Sequence, residues 1–222
     1  MNANNEQTEP SLGPACLVIV IVGLAIFCAI CAFGSFFMFS DQYPLAVRGI
    51  EQQLIPWVEQ SQLDDSDKGE IVTELKRLLP LLEQRGIDRE QLVRLRNCLQ
   101  DNPVLLWGGV QVIEQEATSA GLNEAEITAL NRTSQRLMRM AVERKLSRSD
   151  LEFVIQECAD VKPDESGLVI RTPLSAEQIR QFMNRAEQLL NENNISIEPY
   201  ELTPAAGFKQ LVEMALDKDF TP

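Results

Sequence analysis

The residue types that usually carry catalytic chemistry are sparse in this chain, which has no histidine among its 222 residues. Without histidine, Ser-His-Asp triads, Cys-His nucleophiles and nearly all common zinc sites are excluded. Cys28 and Cys31 have the spacing of a redox pair, but they lie in an uncharged stretch typical of a membrane helix. The sequence therefore predicts no catalytic residue, cofactor or metal site and no enzyme, leaving an enzyme built on paired carboxylates as the catalytic alternative.

The acidic stretch 64–70 invites comparison with a calcium-binding loop. If position 1 of such a loop were Asp64, a lysine (Lys68) would occupy a ligand position and Leu75 would replace the bidentate glutamate. Both substitutions defeat calcium binding. The stretch instead predicts the solvated, acidic start of a helix, where negative charge complements the helix dipole.

Trp57 and Trp107 are the two tryptophans and therefore candidate anchors for a partner. A single large apolar residue more often packs in a core or near a membrane surface. Gly108 and Gly109 follow Trp107 without the Gly-Lys-Ser/Thr of a phosphate loop, which predicts close helix packing instead.

No charged residue occurs between positions 10 and 40, and residues 15–39 are almost entirely apolar. A helix of roughly 20 apolar residues is enough to cross a bilayer core. We therefore expect a transmembrane helix at 15–39, preceded by a short acidic tail at 1–14. The tail contains no basic residue, which disfavours a cleaved signal peptide. A cleaved signal and a buried core helix are the two alternatives.

Small residues recur at spacings of three and four within this segment and would share one helix face. Such faces allow two helix backbones to approach closely in lipid, so the sequence suggests a homodimer through the membrane helix. The predicted pairing face consists of Ala25, Cys28, Ala29, Ala32 and Ser35.

Basic residues near the ends of the segment bear on its orientation. The N-terminal side has none, and the C-terminal side has Arg48. The positive-inside rule then places the N-terminus outside and the large domain in the cytoplasm. Cys98 and Cys158, the two cysteines of the large domain, suit a reducing compartment, and equally a single disulfide outside it.

The remainder of the chain is acidic. Residues 41–222 contain 20 basic and 31 acidic residues, a net charge of −11. This charge opposes binding to nucleic acid or to an anionic lipid surface.

Helix-start signals are spaced regularly along the acidic part of the chain. In each, a short polar residue precedes an acid or amide three positions later, which is typical of capped helices. The predicted caps are Asp67, Asp88, Asn123, Ser147 and Ser175. Gly86 and Gly121 are predicted to end helices, and 167–172 is predicted to be a loop with some strand character.

An internal repeat accompanies these helices. Shifting residues 63–101 by 59 positions superposes them on 122–160, with identities that include Arg77/Arg136, Arg85/Arg144 and Leu92/Leu151. A looser third copy covers 174–217, with Asn193 aligned to Arg144 at the turn. Both of the first two copies predict a helix, a short turn and a second capped helix.

Taken together, these patterns predict an all-α protein. A transmembrane helix would be followed by a juxtamembrane helix within 40–62 and then a soluble domain, 63–222. That domain would be a helical-hairpin bundle or short solenoid of about seven to eight helices. The predicted function is a membrane-anchored protein-interaction module, an adaptor, scaffold or regulatory subunit with an unidentified protein partner. An extracytoplasmic, envelope-associated domain is the alternative.

Overall fold

The computed structural model describes residues 24, 26–28, 42–161 and 168–217. The chain forms two compact units, Met1–Gln42 and Tyr43–Pro222. In the first unit, the described residues Leu24, Ile26, Phe27 and Cys28 are helical and exposed to solvent. The rest of the predicted membrane helix and the acidic tail lie outside the described residues. Within the described part of the chain, no helix is both long enough and apolar enough to span a membrane.

The described part of the second unit is almost entirely helical, which confirms the all-α prediction. It opens with helix α1, Gln42–Gly49, a π-helical turn at Ile50–Leu54, and helix α2, Ile55–Gln60. The sequence predicted one juxtamembrane helix within 40–62. The structure instead divides this region into three segments, with Pro56 in the first turn of α2, where a missing N–H is tolerated.

Two hairpins of equal design follow. The first consists of α3, Asp65–Glu83, and α4, Arg89–Gln100, and the second of α6, Glu124–Val142, and α7, Arg148–Ile155. Adding 59 to Asp65, Glu83 and Arg89 gives Glu124, Val142 and Arg148, so the helix boundaries agree with the sequence repeat at three positions. The equivalent apolar residues are buried in both hairpins, as at Leu78 and Leu137.

The segment that joins the hairpins has two elements. A 3-10 turn, Pro103–Leu106, leads through Trp107 into α5, Gly108–Glu116. A Cβ atom on Gly108 would lie 2.3 Å from the backbone of Gln62 and Leu63. The structure therefore confirms the close packing predicted beside Trp107, since only glycine fits this contact.

Beyond the second hairpin, a 3-10 turn, Gln156–Cys158, leads into strand β1, Ala159–Val161. Strand β1 pairs antiparallel with β2, Leu168–Ile170. The loop predicted at 167–172 is therefore wrong at its centre. The Gln62 side-chain oxygen accepts a hydrogen bond from the Ile170 N–H at 2.9 Å, which fixes the strand pair to the helices.

The last helices are α8, Ala176–Glu192, and α9, Pro204–Leu216. Helix α8 packs against α6 and α7, and α9 packs against α3, α4 and α6. Helix α9 thus contacts both hairpins. One continuous apolar core extends from Ile50 to Val212.

Four of the five predicted caps are confirmed. Asp88, Asn123, Ser147 and Ser175 each form a reciprocal capping box with the residue three positions later. The cap predicted at Asp67 is wrong, because α3 begins one turn earlier, after Asp64. Asp67 is buried instead, and its carboxylate accepts from the Gln111 amide at 2.6 Å and the Ala205 N–H at 3.1 Å.

Candidate functional site

Three helices of the domain end in the same kind of turn. Helices α3, α6 and α8 are each followed by a residue with left-handed backbone, Arg85 (φ 52°), Arg144 (φ 58°) and Asn194 (φ 53°). In each turn the next N–H bonds back five residues, as from Lys145 to the Met140 carbonyl at 3.0 Å. This is the Schellman ending of a helix, usually made by glycine. We call the three turns the first, middle and third turns.

Each turn continues into a buried apolar residue, and these residues are Ile87, Leu146 and Ile195. In the first turn, the Tyr43 hydroxyl of α1 donates to the Ile87 carbonyl oxygen at 2.8 Å. The Arg85 guanidinium lies 5.7 Å from the centre of the Tyr43 ring, a cation–π distance. A tyrosine from a neighbouring helix therefore occupies the first turn.

The third turn has a donor of a different type. Arg136, which is buried on α6, donates to the Ile195 carbonyl oxygen at 3.1 Å. The same guanidinium forms an ion pair with Glu187 of α8 at 2.6 Å. The carbonyl of the third turn is therefore bound by arginine.

The middle turn differs from both, because no described residue donates a hydrogen bond to the Leu146 carbonyl oxygen. Residues 144–147 instead line a cleft of about 280 Å³. The opposite walls are the C-terminal ends of α4 and α9. We call this space the middle-turn cleft. Its volume is just below the roughly 300–1,000 Å³ of typical ligand pockets, so it suits one large side chain with adjoining backbone.

The cleft has an apolar floor and a polar, mostly basic rim. Leu146, Leu211 and Ala215 are buried beneath it. Three cations and one acid are among the lining residues, namely Arg94, Arg144, Lys145 and Asp101. Arg94 is also paired with Glu90 at 2.9 Å, so a carboxylate outside the lining balances its charge.

Part of the basic charge serves the fold. Arg94 donates to the Ala215 carbonyl at 3.1 Å and the Asp217 carbonyl at 2.7 Å, at the end of α9. Cations stabilise the negative end of a helix dipole in this way. Lys145 forms an ion pair with Glu143 at 2.8 Å, in which both side chains are partly exposed to solvent. In such an exposed pair, the lysine can readily exchange its glutamate for another carboxylate.

Cys98 also lines the cleft. Burial raises the pKa of its thiol to about 11, against the opposing effects of the Arg144 charge and a contact with Asn102. The thiol is therefore protonated at neutral pH, and a protonated thiol is a poor nucleophile. Cys158 is buried elsewhere and contacts the Gln178 carbonyl at 3.6 Å, and both cysteines are free.

The acidic stretch 64–70 binds protein groups. The Gln115 side-chain amide donates to the Asp64 carboxylate at 2.9 Å, and the Asp64 N–H donates to Gln111. Burial, with a smaller effect of the nearby Asp64 charge, raises the pKa of Glu114 on α5. Among the residues that the structure describes, no group of three potential metal ligands is found.

The residues singled out from the sequence do not meet at this cleft. Trp107 is 4% exposed and belongs to the core, and Trp57 is half-buried against it. Of the predicted pairing face, only Cys28 is among the described residues, and it is exposed. Ala25, Ala29, Ala32 and Ser35 lie outside the described side chains.

The middle-turn cleft was missed because the sequence does not show which turn stays open. The available signal was the identity of Arg85 and Arg144 at a residue that adopts left-handed backbone. Comparison with known proteins finds no family model, no curated protein and no solved structure that matches this chain.

Proposed function

We propose that this chain is a membrane-tethered protein-interaction module, in which residues 15–39 cross the bilayer and the helical domain captures a protein partner. The observation that carries the proposal is the contrast between the three turns that end helices. The first and third turns are occupied by Tyr43 and Arg136, whereas the middle turn borders an open cleft. The hairpins stack as a short bundle or solenoid, an architecture that commonly presents surfaces to partners.

The exposed helical residues of the first unit support the tether. Leu24, Ile26 and Phe27 are 62%, 56% and 64% exposed, and their positions are spread around a helix at 100° steps. Exposing apolar side chains of this size to water costs free energy at each of these three positions. Lipid removes that cost. The sequence favours a single span with the acidic domain on the cytoplasmic side.

The tether is tested by extracting membranes at alkaline pH from cells that express the full chain. We expect the wild-type protein to stay in the membrane pellet and the double variant Ile26→Lys, Phe27→Lys to shift to the supernatant. Leu45→Lys is the matched control, because Leu45 is 55% exposed on α1, outside the proposed span. Wild-type protein released at alkaline pH would contradict the tether.

Topology is tested by the additional labelling that a cysteine at the exposed position Ser119 gives over wild type, with a maleimide that does not cross membranes. For a cytoplasmic domain, labelling requires that the cells be opened first. Labelling in intact cells would favour the extracytoplasmic alternative.

The interaction function is tested by purifying the tagged full chain from native membranes in mild detergent. We expect a stoichiometric protein partner that is lost when the cleft is blocked by Asn97→Trp, since Asn97 lies exposed on the cleft rim. Arg132→Glu, an exposed change on the same domain, should keep it. A chain that purifies alone and monomeric would contradict the proposal.

A further inference from the structure

We propose that residues 218–222 of this chain, Lys-Asp-Phe-Thr-Pro, dock in the middle-turn cleft, with the Phe220 ring over its apolar floor. The docked segment closes the site that captures the partner, so the partner and the segment compete for it. This inference rests on the interaction function proposed above and specifies how that site is regulated. The segment lies outside the described residues, which by themselves leave the cleft open.

The first step is the point at which the chain leaves helix α9. Asp217 ends this helix, and its extended backbone (φ −64°, ψ 129°) breaks the helical path of the chain. Its carbonyl oxygen accepts from Arg94 at 2.7 Å, and Arg94 lines the cleft, as do Met214 and Ala215 of the last turn of α9. Lys218 is bonded to that carbonyl carbon, so the segment begins beside a residue of the cleft wall.

The second step is the reach of the segment. An extended chain spans at most about 3.3–3.6 Å per residue, so Phe220 can lie up to roughly 10 Å from Asp217. Leu211, part of the cleft floor, is six residues before Asp217, about 9 Å along a helix that rises about 1.5 Å per residue. The ring can therefore reach the floor while α9 keeps its observed end.

The third step is the match between the ring and the floor. Phe220 is the one aromatic residue of the segment. The floor consists of the buried residues Leu146, Leu211 and Ala215, and a cleft of about 280 Å³ suits one large side chain with adjoining backbone. Moving a phenyl ring from water onto this apolar surface is favourable. A covalently attached segment also has a high effective concentration at the cleft, so a modest affinity is enough to keep it docked.

The fourth step concerns the charged residues of the segment. Asp101 is the acid among the lining residues, and Lys218 can pair with it. Asp219 can join the exposed pair of Lys145 and Glu143 at the rim. The segment and the cleft both carry charges of each sign, which allows complementary pairing.

The docking is tested by disulfide trapping in the full chain in detergent micelles. Thr221→Cys, which keeps the Phe220 ring, should link to Cys98 within one chain under copper-phenanthroline oxidation, since Cys98 lines the cleft and is free. A disulfide requires Cβ atoms roughly 4 Å apart, so trapping reports the segment inside the cleft. Peptide mass spectrometry identifies the bond and the rate at which it forms.

Further changes in the Thr221→Cys chain separate docking from chance contact of a tethered thiol. Phe220→Ser removes the ring and should slow trapping at least about fivefold, because burial of the ring no longer holds the segment. Asn97→Trp fills the cleft from its exposed rim and should slow trapping at least about tenfold. Arg132→Glu, an exposed change on α6 outside the cleft lining, should leave the rate within about twofold. Thermal unfolding checks that each variant is folded, and Phe220→Ser keeps the test decisive if Asn97→Trp is not.

Partner recovery from native membranes measures the competition. Phe220→Ser alone should retain at least about twofold more partner than wild type, because a weakened segment leaves the cleft available in more of the molecules. A thiol that is not trapped, trapping that Phe220→Ser does not slow, or a disulfide that forms only between two chains would overturn the docking. Equal partner recovery by wild type and Phe220→Ser would overturn the competition. If trapping behaves as expected and the chain purifies alone, the docking stands and the interaction function fails.

Discussion

The two hairpins share three of their four helix boundaries but not their surroundings. Arg77 and Arg136 occupy equivalent positions in α3 and α6. Arg77 is half-exposed and pairs with Glu74 of its own helix, whereas the Arg136 side chain is 6% exposed and reaches across to Glu187 of α8. The same residue type thus forms a local surface pair in one hairpin and a buried link between helices in the other.

The difference arises from what packs against each hairpin. The first turn meets α1 through Tyr43, while the middle turn faces the ends of α4 and α9 across the cleft. Repeated sequence therefore predicts the repeated backbone, but the contacts of each copy depend on the neighbours that the chain supplies. The following changes test how far the two hairpins are equivalent.

The largest effects are expected in the core. Leu78→Ala and Leu137→Ala remove equivalent side chains that are 1% and 0% exposed. Each should lower the free energy of unfolding by about 2–5 kcal/mol, through lost burial and the cavity left behind. Urea unfolding followed by circular dichroism measures this change. A loss below about 1 kcal/mol at one position only would show that the hairpins are not packed equivalently.

The helix caps should have the next largest effect. Asp88→Ala and Ser147→Ala each remove a side chain that accepts from the N–H three residues later, at 2.8 and 3.1 Å. The expected loss is about 0.5–2 kcal/mol for each, measured in the same unfolding experiment. Thr118→Ala, at an exposed position outside the caps, should change stability by less than about 0.5 kcal/mol. An Asp88 variant as stable as this control would break the equivalence of the two caps.

Tyr43→Phe isolates the contact that distinguishes the first turn. It removes one partly buried hydrogen bond to the Ile87 carbonyl while keeping the ring. The free energy of unfolding should fall by about 0.5–1.5 kcal/mol. Tyr200→Phe is the control, because no described residue forms a hydrogen bond with that hydroxyl, and it should be close to neutral. If the two variants lost equal free energy of unfolding, the hydrogen bond from Tyr43 would not stabilise the first turn.

The smallest effect on stability is expected at Glu114, in the segment that joins the two hairpins, and this effect depends on pH. Burial raises the pKa of Glu114, so ionising this carboxyl group is less favourable in the folded state. Its contribution to stability is complete below the unfolded pKa of about 4.3 and is lost as the pH rises through the folded pKa. Glu114→Gln should therefore be more stable than wild type at neutral pH and equal to it near pH 3.

Urea unfolding at both pH values measures this difference. Glu201→Gln, at an exposed position, should show little change at either pH. A Glu114 variant that is less stable than wild type at neutral pH would contradict the expected sign.

The local features of the fold could be predicted from the sequence because they depend on neighbouring residues. Ser147 and Asp150, for example, form the capping box that their spacing predicts. The start of α3 could not be predicted in the same way, since Asp67 is bound by Gln111 and by the N–H of Ala205. Those partners are distant in the sequence, so the spacing of residues near Asp67 could not predict them.

The turns that end the helices could also be predicted only in part. Gly86 is predicted to end a helix, but the residue with left-handed backbone after α3 is Arg85, one position earlier. In the third copy the left-handed residue is Asn194, one position later than the alignment with Asn193 predicts. The cleft beside the middle turn depends on where α4 and α9 end in the folded domain. Sequence alignment identifies the repeated turn, but it does not show which helices pack around that turn.

The position of Cys98 in the cleft wall has a practical consequence for measuring residence time. A thiol with a pKa of about 11 reacts slowly with electrophiles that meet it by chance. A ligand that dwells in the cleft would hold a mild electrophile beside the sulfur at high effective concentration. Covalent capture at Cys98, detected as a mass increase of the intact protein, would then select ligands by how long they stay bound.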